Sequence, residues 1–568
     1  MTRACRLHGV LSRYNPNGSM ARRFVPAQFQ PPFPAERFLL HEAPGDDALD
    51  MDVVVIGAGP AGLSAAIELA RQARARPEIA GLQIAVLDKA AALGEHNLSG
   101  AVLNPRALRD LFPDVRLDEV PFVHAPVTRE RVYFLTQERA LRLPTPPTMR
   151  NHGNVVISIC ELVRWLGERA EELEINLLPG FPVGALLVDG DRVVGVRTVP
   201  SGLGRDGQPG PRYEPPTDLR ARVVVVADGT RSPFAEALLQ WQNVGRTNPP
   251  IYALGVKEVW ETRHPLDAVV HTLGWPVPSD AFGGSFLYPM SRNRVALGLV
   301  VGLDYRAATL DVHELLQRFK THPRVRHLLD GGELLEWGAK TIPEGGFYSL
   351  PDRLTGPGYV LVGDAAGFVD VPSLKGIHYA MQSGIYAARA IADALAAGEP
   401  TAARLAAYDR QVAASYIRRD LYRTRNMRLA FHAGLVRGAV RAGLMTLTSG
   451  RWPAGPLRVP ADAEVPRQTD GIEPFVPDGK LTFSKLDAVY RSGNKTRDDI
   501  PIHLVVGRDV PAEVADFYAR MCPAGVYERQ GDRLVINAPN CVDCKATDVL
   551  GPRWTPREGG SGPAYKQM

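Results

Sequence analysis

The glycine-rich segment at residues 57–62 constrains the fold of this chain more than any other. It follows an apolar run, Asp52–Ile56, that predicts a buried strand, and it precedes a helical pattern over residues 60–73. A second apolar strand is predicted at residues 83–88 and ends in Asp88. This order of strand, turn, helix and strand is the context that gives a G-x-G-x-x-G motif its meaning. The segment therefore predicts a dinucleotide-binding βαβ unit.

Each glycine of the turn has a separate task in such a unit. The first permits the tight turn, the second lets the backbone approach a pyrophosphate, and the third lets the helix pack on the strand. The helix N-terminus presents free N–H groups to the diphosphate, and the carboxylate after the second strand accepts from the ribose. The alternative is an ordinary tight turn. The residues predicted to bind the cofactor here are Gly57, Gly59, Pro60, Ala61, Gly62 and Asp88.

Two later motifs favour FAD over NAD as the dinucleotide. An apolar strand over residues 222–227 ends in Ala227-Asp228-Gly229-Thr230-Arg231, and another over residues 359–362 ends in Gly363-Asp364. Both motifs resemble those of FAD enzymes of the para-hydroxybenzoate-hydroxylase type, in which the Gly-Asp pair binds the ribityl chain. Asp228, Gly229, Gly363 and Asp364 are therefore further candidate cofactor residues. An N-cap role for Asp364 is the alternative.

The cysteines indicate a metal site near the end of the chain. Three of the five cysteines lie there, as Cys522-Pro and as the C-x-x-C pair Cys541 and Cys544. This spacing is typical of thiolates around an iron–sulfur cluster. A third C-x-x-C step would place a cysteine at Thr547, and Asp548 follows as a doubtful substitute. Three outcomes stay open: a [4Fe–4S] cluster with a non-cysteine ligand, a [3Fe–4S] cluster, or no cluster.

Size and charge narrow the class of protein. A chain of 568 residues is too long for one hydrophobic core, so we expect two or three lobes. A net charge of +4 does not suggest a nucleic-acid partner. No apolar run has the length needed to span a bilayer, so any membrane contact would be peripheral.

Several longer motifs carry a resemblance to a known family. They lie at residues 94–100, 151–154, 274–276, 283–288, 300–305, 375–378 and 522–528. From about Asp52 to Met568 the chain resembles electron-transfer-flavoprotein–ubiquinone oxidoreductases. The resemblance implies FAD, one [4Fe–4S] cluster, a reduced electron transfer flavoprotein as donor and ubiquinone as acceptor. It implies a quinone site at Gly283 and Gly284, and cluster ligands at Cys522, Cys541 and Cys544, with Thr547 in the fourth position.

The expected fold class is α/β with α+β lobes. Residues 1–50 are expected to be a flexible extension, and 51–450 to hold an FAD-binding, Rossmann-like domain of the para-hydroxybenzoate-hydroxylase/glutathione-reductase type. That domain would use about 51–240 and 350–450, with a quinone-binding and membrane-contact α+β domain interleaved at about 241–349. A linker is expected at 451–478 and a ferredoxin-like iron–sulfur domain at 479–568.

Membrane contact is expected at two segments. The resemblance implies a membrane-dipping segment at Gly100–Pro121, although its apolar residues Val102, Leu103, Leu108, Leu111 and Phe112 would also suit a core. Arg418–Arg451 holds eight arginines, a single acid and interleaved apolar residues, which suits an anionic membrane surface or a solvated helical face.

The expected location is the inner face of a bacterial cytoplasmic membrane or, alternatively, the matrix side of the mitochondrial inner membrane. The first 35 residues hold five arginines and no acid, which is typical of a transit peptide or of an unstructured extension. A monomer is expected.

Two rival functions are kept. One is a clusterless FAD-dependent reductase or hydroxylase of the geranylgeranyl-reductase type that acts on a lipid small molecule. The other is an electron-carrier subunit that only docks partners. Electron transfer to a quinone needs no general base on a carbon acid, so no catalytic side chain is assigned.

Overall fold

The computed structural model describes residues 23–100, 102–469 and 473–568. In chain order, strands β1 to β27 are Arg23–Phe24, Leu39–Leu40, Leu49–Ile56, Ile84–Asp88, Val102–Leu103, Val123–Pro126, Glu130–Leu135, Ala140–Leu143, Val155–Ile157, Asn176–Pro179, Val183–Asp189, Arg192–Thr198, Ser201–Leu203, Pro209–Glu214, Asp218–Val226, Tyr252–Glu261, Val269–Gly274, Gly283–Ser291, Arg294–Gly302, Glu333–Pro343, Thr355–Gly356, Tyr359–Leu361, Arg467–Gln468, Leu504–Val505, Tyr527–Gln530, Arg533–Ile536 and Arg553–Trp554. Helices α1 to α15 are Ala35–Phe38, Pro60–Ala75, Arg106–Leu111, Ile159–Glu171, Pro233–Trp241, Val312–Thr321, Pro323–Leu329, Ile377–Ala396, Ala402–Leu405, Ala407–Ala414, Tyr416–Thr424, Leu435–Leu447, Lys485–Arg491, Ala512–Met521 and Ala546–Leu550.

The first sheet places the dinucleotide motifs side by side. Its main order is β10-β4-β3-β15-β12-β11-β2, and β22 pairs with β15. Strands β10, β4, β3, β15 and β22 run parallel, so the turns that follow them meet at one edge. The valine-rich runs of β3 and β15 are buried, as expected for parallel strands covered on both faces. Helix α2 packs against α4 and α8.

The second sheet forms the adjoining lobe. Its order is β20-β16-β19-β18-β17-β7-β8, and its pairs are antiparallel except for β17 with β7. Strands β7 and β8 come from residues 130–143, well before the interval 241–349 that the sequence suggested for this lobe. Pairing with β17 draws them in, so the chain enters the second lobe twice.

The expected iron–sulfur module, residues 479–568, does not form a separate domain on a flexible linker. One continuous hydrophobic core joins the module to the lobe that contains the second sheet. It includes Trp337 and Phe319 of that lobe and Phe517, Tyr518 and Leu550 of the module. The expected linker, 451–478, is also packed in part, because Asp462 and Arg467 are buried and β23 pairs with β1. These contacts hold the module in one orientation.

The expectation of a flexible extension over residues 1–50 is wrong for residues 23–50. Strand β1 pairs with β23, and β2 pairs in parallel with β11. The Phe24 ring lies 5.5 Å from the Phe517 ring, and the Phe38 side chain is buried. The buried side chains of Phe24, Phe38 and Leu39 therefore anchor a Pro-rich segment that has no periodicity of its own. The arginine-rich residues 1–22 lie outside the described residues.

A buried ion pair links β16 to α6 in the lobe that contains the second sheet. The Lys320 Nζ donates to both carboxylate oxygens of Glu258, at 3.0 and 2.9 Å. The Trp260 Nε1–H and the Gln317 Nε2–H donate to the same carboxylate, at 2.6 and 3.1 Å. Both charged side chains are fully buried, so removing one partner strands the other charge in the core.

We predict that Lys320→Met destabilises the protein by about 3–5 kcal/mol, because Glu258 keeps its charge without compensation. The measurement is the midpoint of thermal unfolding followed by circular dichroism. Lys495→Met is the matched control, since the Lys495 side chain is 64% exposed and its partner Glu95 lies 3.8 Å away. That change should cost about 0–1 kcal/mol. Equal midpoints for the two variants would contradict the assigned role of the pair.

Candidate functional site

The glycine turn forms a cradle at the end of β3. Gly57 adopts φ +102°, and an added Cβ would lie 2.5 Å from the Ala227 carbonyl oxygen. A Cβ on Gly62 would lie 2.0 Å from the Gly57 carbonyl oxygen. A Cβ on Gly59, by contrast, would meet only Asn97 Oδ1, at 3.6 Å. The protein itself thus requires glycine at 57 and 62, whereas the space over Gly59 is left for a ligand beside the N-terminus of α2.

Pro60 and Ala61 start α2, and their roles are conformational. Pro60 occupies the first turn of the helix, where its missing N–H costs nothing. Gly384 lets α8 approach Ala61, because a Cβ on Gly384 would lie 2.2 Å from the Ala61 carbonyl oxygen. Gly363 also faces Ala61, at φ +61°, and its N–H donates to Ser383 Oγ at 2.9 Å. Small residues therefore bring the Gly363-Asp364 turn against the start of α2.

Three carboxylates surround this cradle. Asp88 Oδ2 accepts from the Ala58 N–H and Oδ1 from the Ala90 N–H, both at 2.8 Å. Asp228 Oδ1 is buried and has no hydrogen-bond partner among the described residues. Burial raises the pKa of Asp364 to about 6. A ligand with hydroxyl groups would satisfy such acceptors, so the open cradle and the unpartnered Asp228 oxygen both fit FAD.

The three C-terminal cysteines line one cavity. Cys522, Cys541 and Cys544 are buried and share it with Thr547 and Tyr527. Burial raises the pKa of Cys544 to about 12 and also raises the pKa values of the other two thiols. Binding as thiolates would therefore release protons, as is usual when a metal site loads. The donor set, sulfur on three sides of an apolar cavity, fits an iron–sulfur cluster.

The fourth position of the cavity carries hydroxyl groups. Thr547 Oγ1 lies 2.6 Å from Tyr527 Oη and donates to the Pro552 carbonyl at 3.2 Å. Asp548, the doubtful substitute, is engaged elsewhere. Its Oδ2 accepts from Arg231 Nε at 2.6 Å, and its Oδ1 accepts from the Trp554 N–H at 3.0 Å. Among the described residues the cavity lining includes Thr547 and not Asp548, so this geometry gives Asp548 no support as a ligand.

The segment 541–548, which carries Cys541 and Cys544 and is called the cysteine loop below, contacts the dinucleotide motifs directly. Lys89, the residue after Asp88, donates from Nζ to Asp543 Oδ2 at 2.8 Å. Arg231 of the Ala-Asp-Gly-x-Arg motif holds Asp548. The Lys545 Nζ donates to the Thr230 carbonyl at 3.1 Å. The βαβ unit that ends at Asp88 and the motif at residues 227–231 are therefore each followed or completed by a contact with the cysteine loop, which brings the two candidate cofactor sites together.

Asp543 is the centre of a buried charge network. Its Oδ1 accepts from the Trp554 Nε1–H at 3.0 Å and lies 3.1 Å from an Arg557 nitrogen. Burial by itself would raise the pKa of Asp543, but Arg557 and Lys89 outweigh that effect and hold it well below its usual range. Burial, together with the nearby charges of Lys89 and Lys545, lowers the pKa of Lys340 to about 7. The Lys340 Nζ donates to the Asp543 carbonyl at 3.2 Å.

Sequence reasoning missed this network. Lys89, Lys340, Lys545 and Arg557 do not belong to the motifs used above, and the sequence predicted no role for Asp543. One signal was available for two of them. Lys89 directly follows the ribose-type acid, and Asp543 lies inside the C-x-x-C step. A charged residue inside each of two cofactor motifs indicates a partner, although not which partner.

The two glycines expected at the quinone site begin β18. A Cβ on Gly283 would lie 2.4 Å from the Val300 carbonyl oxygen, and one on Gly284 would lie 2.6 Å from the Thr272 carbonyl oxygen. Close packing of neighbouring strands therefore explains glycine at both positions. The geometry neither requires nor opposes a flat ligand there, so the quinone assignment stays a prediction.

The expected membrane-dipping residues of segment 100–121 belong to the core. Leu103, Leu108 and Leu111 are buried in one core against which Phe112 packs, and Val102 is buried in a second cluster. The Phe112 ring lies 4.8 Å from that of Trp165. The interpretation of these side chains as membrane contacts is therefore wrong for this structure, because α3 and β5 turn their apolar faces inward.

Comparison with known proteins agrees with this pair of sites. Residues 252–342 match the family model described as ETF-QO, ubiquinone-binding. Residues 479–566 match the model described as electron transfer flavoprotein-ubiquinone oxidoreductase, 4Fe-4S. A mitochondrial electron transfer flavoprotein-ubiquinone oxidoreductase of Arabidopsis thaliana is 40% identical over 92% of this chain and 85% of its own length. The enzyme of that name from Pseudomonas aeruginosa is 38% identical over 92% of this chain and 99% of its own length.

The chain belongs to the electron transfer flavoprotein-ubiquinone oxidoreductase family. This confirms the family suggested by the sequence motifs, together with its FAD and iron–sulfur cofactors and its fold class. A solved geranylgeranyl bacteriochlorophyll reductase-like protein from Thermoplasma acidophilum shares the fold, with a TM-score of 0.55 and 20% identity over 71% of this chain and 92% of that one.

We predict that Gly59→Val abolishes FAD retention, with binding weakened at least about tenfold, because the side chain occupies the space over the α2 N-terminus. The measurement is the flavin-to-protein absorbance ratio after purification. Gly455→Val is the control, since among the described residues a Cβ there meets nothing within 4 Å, and the Gly455 carbonyl accepts from Asn426, which is not a residue of the cradle. Full flavin content in Gly59→Val would refute the assignment of the cradle.

Proposed function

We propose that this protein accepts electrons from reduced electron transfer flavoprotein and delivers them to ubiquinone through FAD and an iron–sulfur cluster. The observation that carries the proposal is the contact between the cysteine loop and both dinucleotide motifs, through Lys89–Asp543 and Arg231–Asp548. Two redox groups held in one buried body suit electron transfer between them. The match to a 4Fe-4S model over residues 479–566 argues against a clusterless reductase.

Bound FAD would supply a two-electron acceptor that also takes single electrons, and the cluster would supply a one-electron relay. The residues described here have the task of holding both groups in place and excluding water. The cradle of Gly57, Gly59 and Gly62 positions the pyrophosphate, and Asp88, Asp228 and Asp364 accept from hydroxyl groups. Cys522, Cys541 and Cys544 bind iron. No side chain is required as a general base on carbon.

The quinone is proposed to bind near Gly283 and Gly284 at the start of β18. Both glycines lie inside the segment that matches the ubiquinone-binding model. Their lack of side chains leaves backbone accessible at half-buried positions, which suits the approach of a flat ring.

An exposed apolar face on α12 supports peripheral membrane association. Val436, Val440, Leu444 and Leu447 recur every three or four residues, and all four are exposed. Arg437 and Arg441 are exposed between them. This arrangement of apolar and basic residues suits an anionic membrane surface. Within the described residues, no helix combines the length and apolar character required to cross a membrane.

Two other arginines of this region, Arg425 and Arg428, are buried and have structural roles. Arg428 is buried, and its guanidinium contacts Asp304 at 2.9 Å and Glu344 at 2.6 Å. Arg425 is also buried and donates to Tyr348 Oη at 3.1 Å. The membrane-contact surface is therefore proposed to centre on α12, where exposed apolar and basic residues alternate. We propose a monomer on the inner face of a bacterial cytoplasmic membrane or, alternatively, on the matrix side of the mitochondrial inner membrane.

The test of the proposed function uses the full chain with its cofactors under anaerobic conditions. Electron transfer flavoprotein, reduced beforehand, is mixed with a short-chain ubiquinone analogue, and its flavin absorbance is followed. Reoxidation should require both this protein and the quinone, and NADPH should not replace the reduced flavoprotein. NADPH consumption without reoxidation of the flavoprotein would instead favour the reductase or hydroxylase class.

We predict that the double change Val440→Glu and Leu444→Glu weakens binding to phosphatidylglycerol-containing vesicles by at least about tenfold, because two apolar side chains no longer enter the interface. Vesicle sedimentation measures the bound fraction. Leu486→Glu on α13 is the matched control, since Leu486 is 63% exposed and Val440 is 62% exposed. Similar binding by wild type and the double variant would exclude α12 as the contact surface.

A further inference from the structure

The cluster cavity offers three thiols and a pair of neutral hydroxyl groups. Thr547 donates its proton to the Pro552 carbonyl, so the 2.6 Å contact with Tyr527 Oη is one that Thr547 accepts. Both hydroxyl groups are buried. Neither carries the negative charge that a thiolate brings to iron. The fourth position is therefore filled by a hydrogen-bonded pair that satisfies itself without metal.

The described chain offers no fourth thiol to complete the set. Cys160 is the remaining cysteine within the described residues, and its Sγ donates to the Asn97 carbonyl at 3.1 Å. It lies in a different hydrophobic cluster, with Val259 and Met290. Cys5 lies outside the described residues.

Three other side chains near the cavity, Asp548, His503 and Asp543, are possible iron ligands. Both carboxylate oxygens of Asp548 already accept hydrogen bonds, one from Arg231 and one from the Trp554 N–H, as described above. His503 is buried, and its ring nitrogens have no hydrogen-bond partner among the described residues. One of them lies within 4.8 Å of both Cys541 Sγ and an Asp543 carboxylate oxygen. His503 is not part of the described cavity lining, however, and Asp543 projects into the Lys89 and Arg557 network. Neither His503 nor Asp543 therefore lines the cavity beside Thr547.

We propose that this protein binds its cluster through three thiolates only, so that one iron of a four-iron cluster has no protein thiolate and can be exchanged. This inference rests on the proposed function, which supplies the cluster. Family membership leads one to expect a [4Fe–4S] centre, and such centres are commonly held by four thiolates. The pair Tyr527 and Thr547 makes this site different in kind, because it lacks one negative ligand.

The expected behaviour is reversible loss of a single iron. Ferricyanide takes one electron from the bound [4Fe–4S]2+ cluster, and the iron without a thiolate leaves as Fe2+. The product is a [3Fe–4S]+ cluster, so charge and atoms balance. Reduction by dithionite with added Fe2+ reverses the change. The reduced three-iron cluster, held by three thiolates, thus takes up one Fe2+ ion to become a four-iron cluster again.

The experiment compares wild type with Thr547→Cys, both purified anaerobically with their cofactors. After ferricyanide and gel filtration, wild type should lose about one iron per protein and show the EPR signal of an oxidised three-iron cluster. Thr547→Cys should keep all its iron and show a cubane signal on reduction. Mössbauer spectra after reconstitution of the oxidised wild type with 57Fe2+ should show label at a single iron position.

Three control variants test the other ligands. Thr547→Ser keeps the hydroxyl group and should behave as wild type. Asp548→Asn and His503→Gln should also leave the wild-type iron loss and EPR signal unchanged. If either of these two changes abolishes a stable fourth iron that wild type retains, that residue is the ligand and the proposal is wrong. Wild type that contains no iron when made with ample cluster supply would also overturn it.

Failure of this inference can be distinguished from failure of the proposed function. Wild type that keeps four irons after oxidation, and still reoxidises electron transfer flavoprotein with ubiquinone, overturns only the three-thiolate site. Iron loss as expected, in protein that does not transfer electrons to ubiquinone, supports the site and contradicts the proposed function.

Discussion

The buried carboxylate of Asp543 holds the two redox sites of this molecule together. It lies between the two cysteines of the C-x-x-C step, and its oxygens contact Lys89, Arg557 and Trp554, with Oδ1 also 3.5 Å from Cys541 Sγ. A buried charge is tolerated only when it is paired and hydrogen-bonded, and breaking such a pair is strongly destabilising. The cysteine loop consequently cannot move away from the end of β4 without exposing uncompensated charges on both sides. The position of one cofactor site is thereby tied to that of the other.

The charges around these sites are unequal in number. The cations Lys89, Lys340, Lys545, Arg231 and Arg557 surround the acids Asp228, Asp543 and Asp548. Burial lowers the pKa of Lys545 to about 8 and that of Lys340 to about 7, so neither cation is fully compensated by its protein neighbours. A diphosphate and a cluster with thiolate ligands are both anionic. A region rich in buried cations is therefore suited to them, and positive charge beside a cluster favours its reduced form.

The sequence predicted the local part of this architecture well. The strands that begin or end at Ile56, Asp88, Val226 and Leu361 were recognisable because buried parallel strands are continuous valine-rich runs followed by turn residues. The glycine turn and the cysteine spacing also depend on neighbours close in sequence. The predictions that failed concern contacts between segments that are distant in sequence. Nothing local indicates that residues 130–143 pair with β17, or that residues 23–50 dock on the sheet edge and on Phe517. The apolar residues within 102–112 likewise give the same sequence pattern whether their side chains face lipid or the protein core.

Glycines in this protein illustrate why a motif alone cannot separate a ligand from a packing constraint. At Gly57, Gly62, Gly283 and Gly284, an added Cβ would lie within 2.6 Å of a backbone carbonyl oxygen of the protein itself. Steric exclusion by the fold explains those four glycines whether or not a ligand binds. Gly59 differs, because its φ of −79° suits any residue and the nearest atom to an added Cβ is 3.6 Å away. Since neither backbone strain nor packing requires glycine there, the space over Gly59 is the part of the motif that reports on a ligand. The same reasoning separates the dinucleotide site, which the geometry supports directly, from the quinone site, whose glycines the sheet would require in any case.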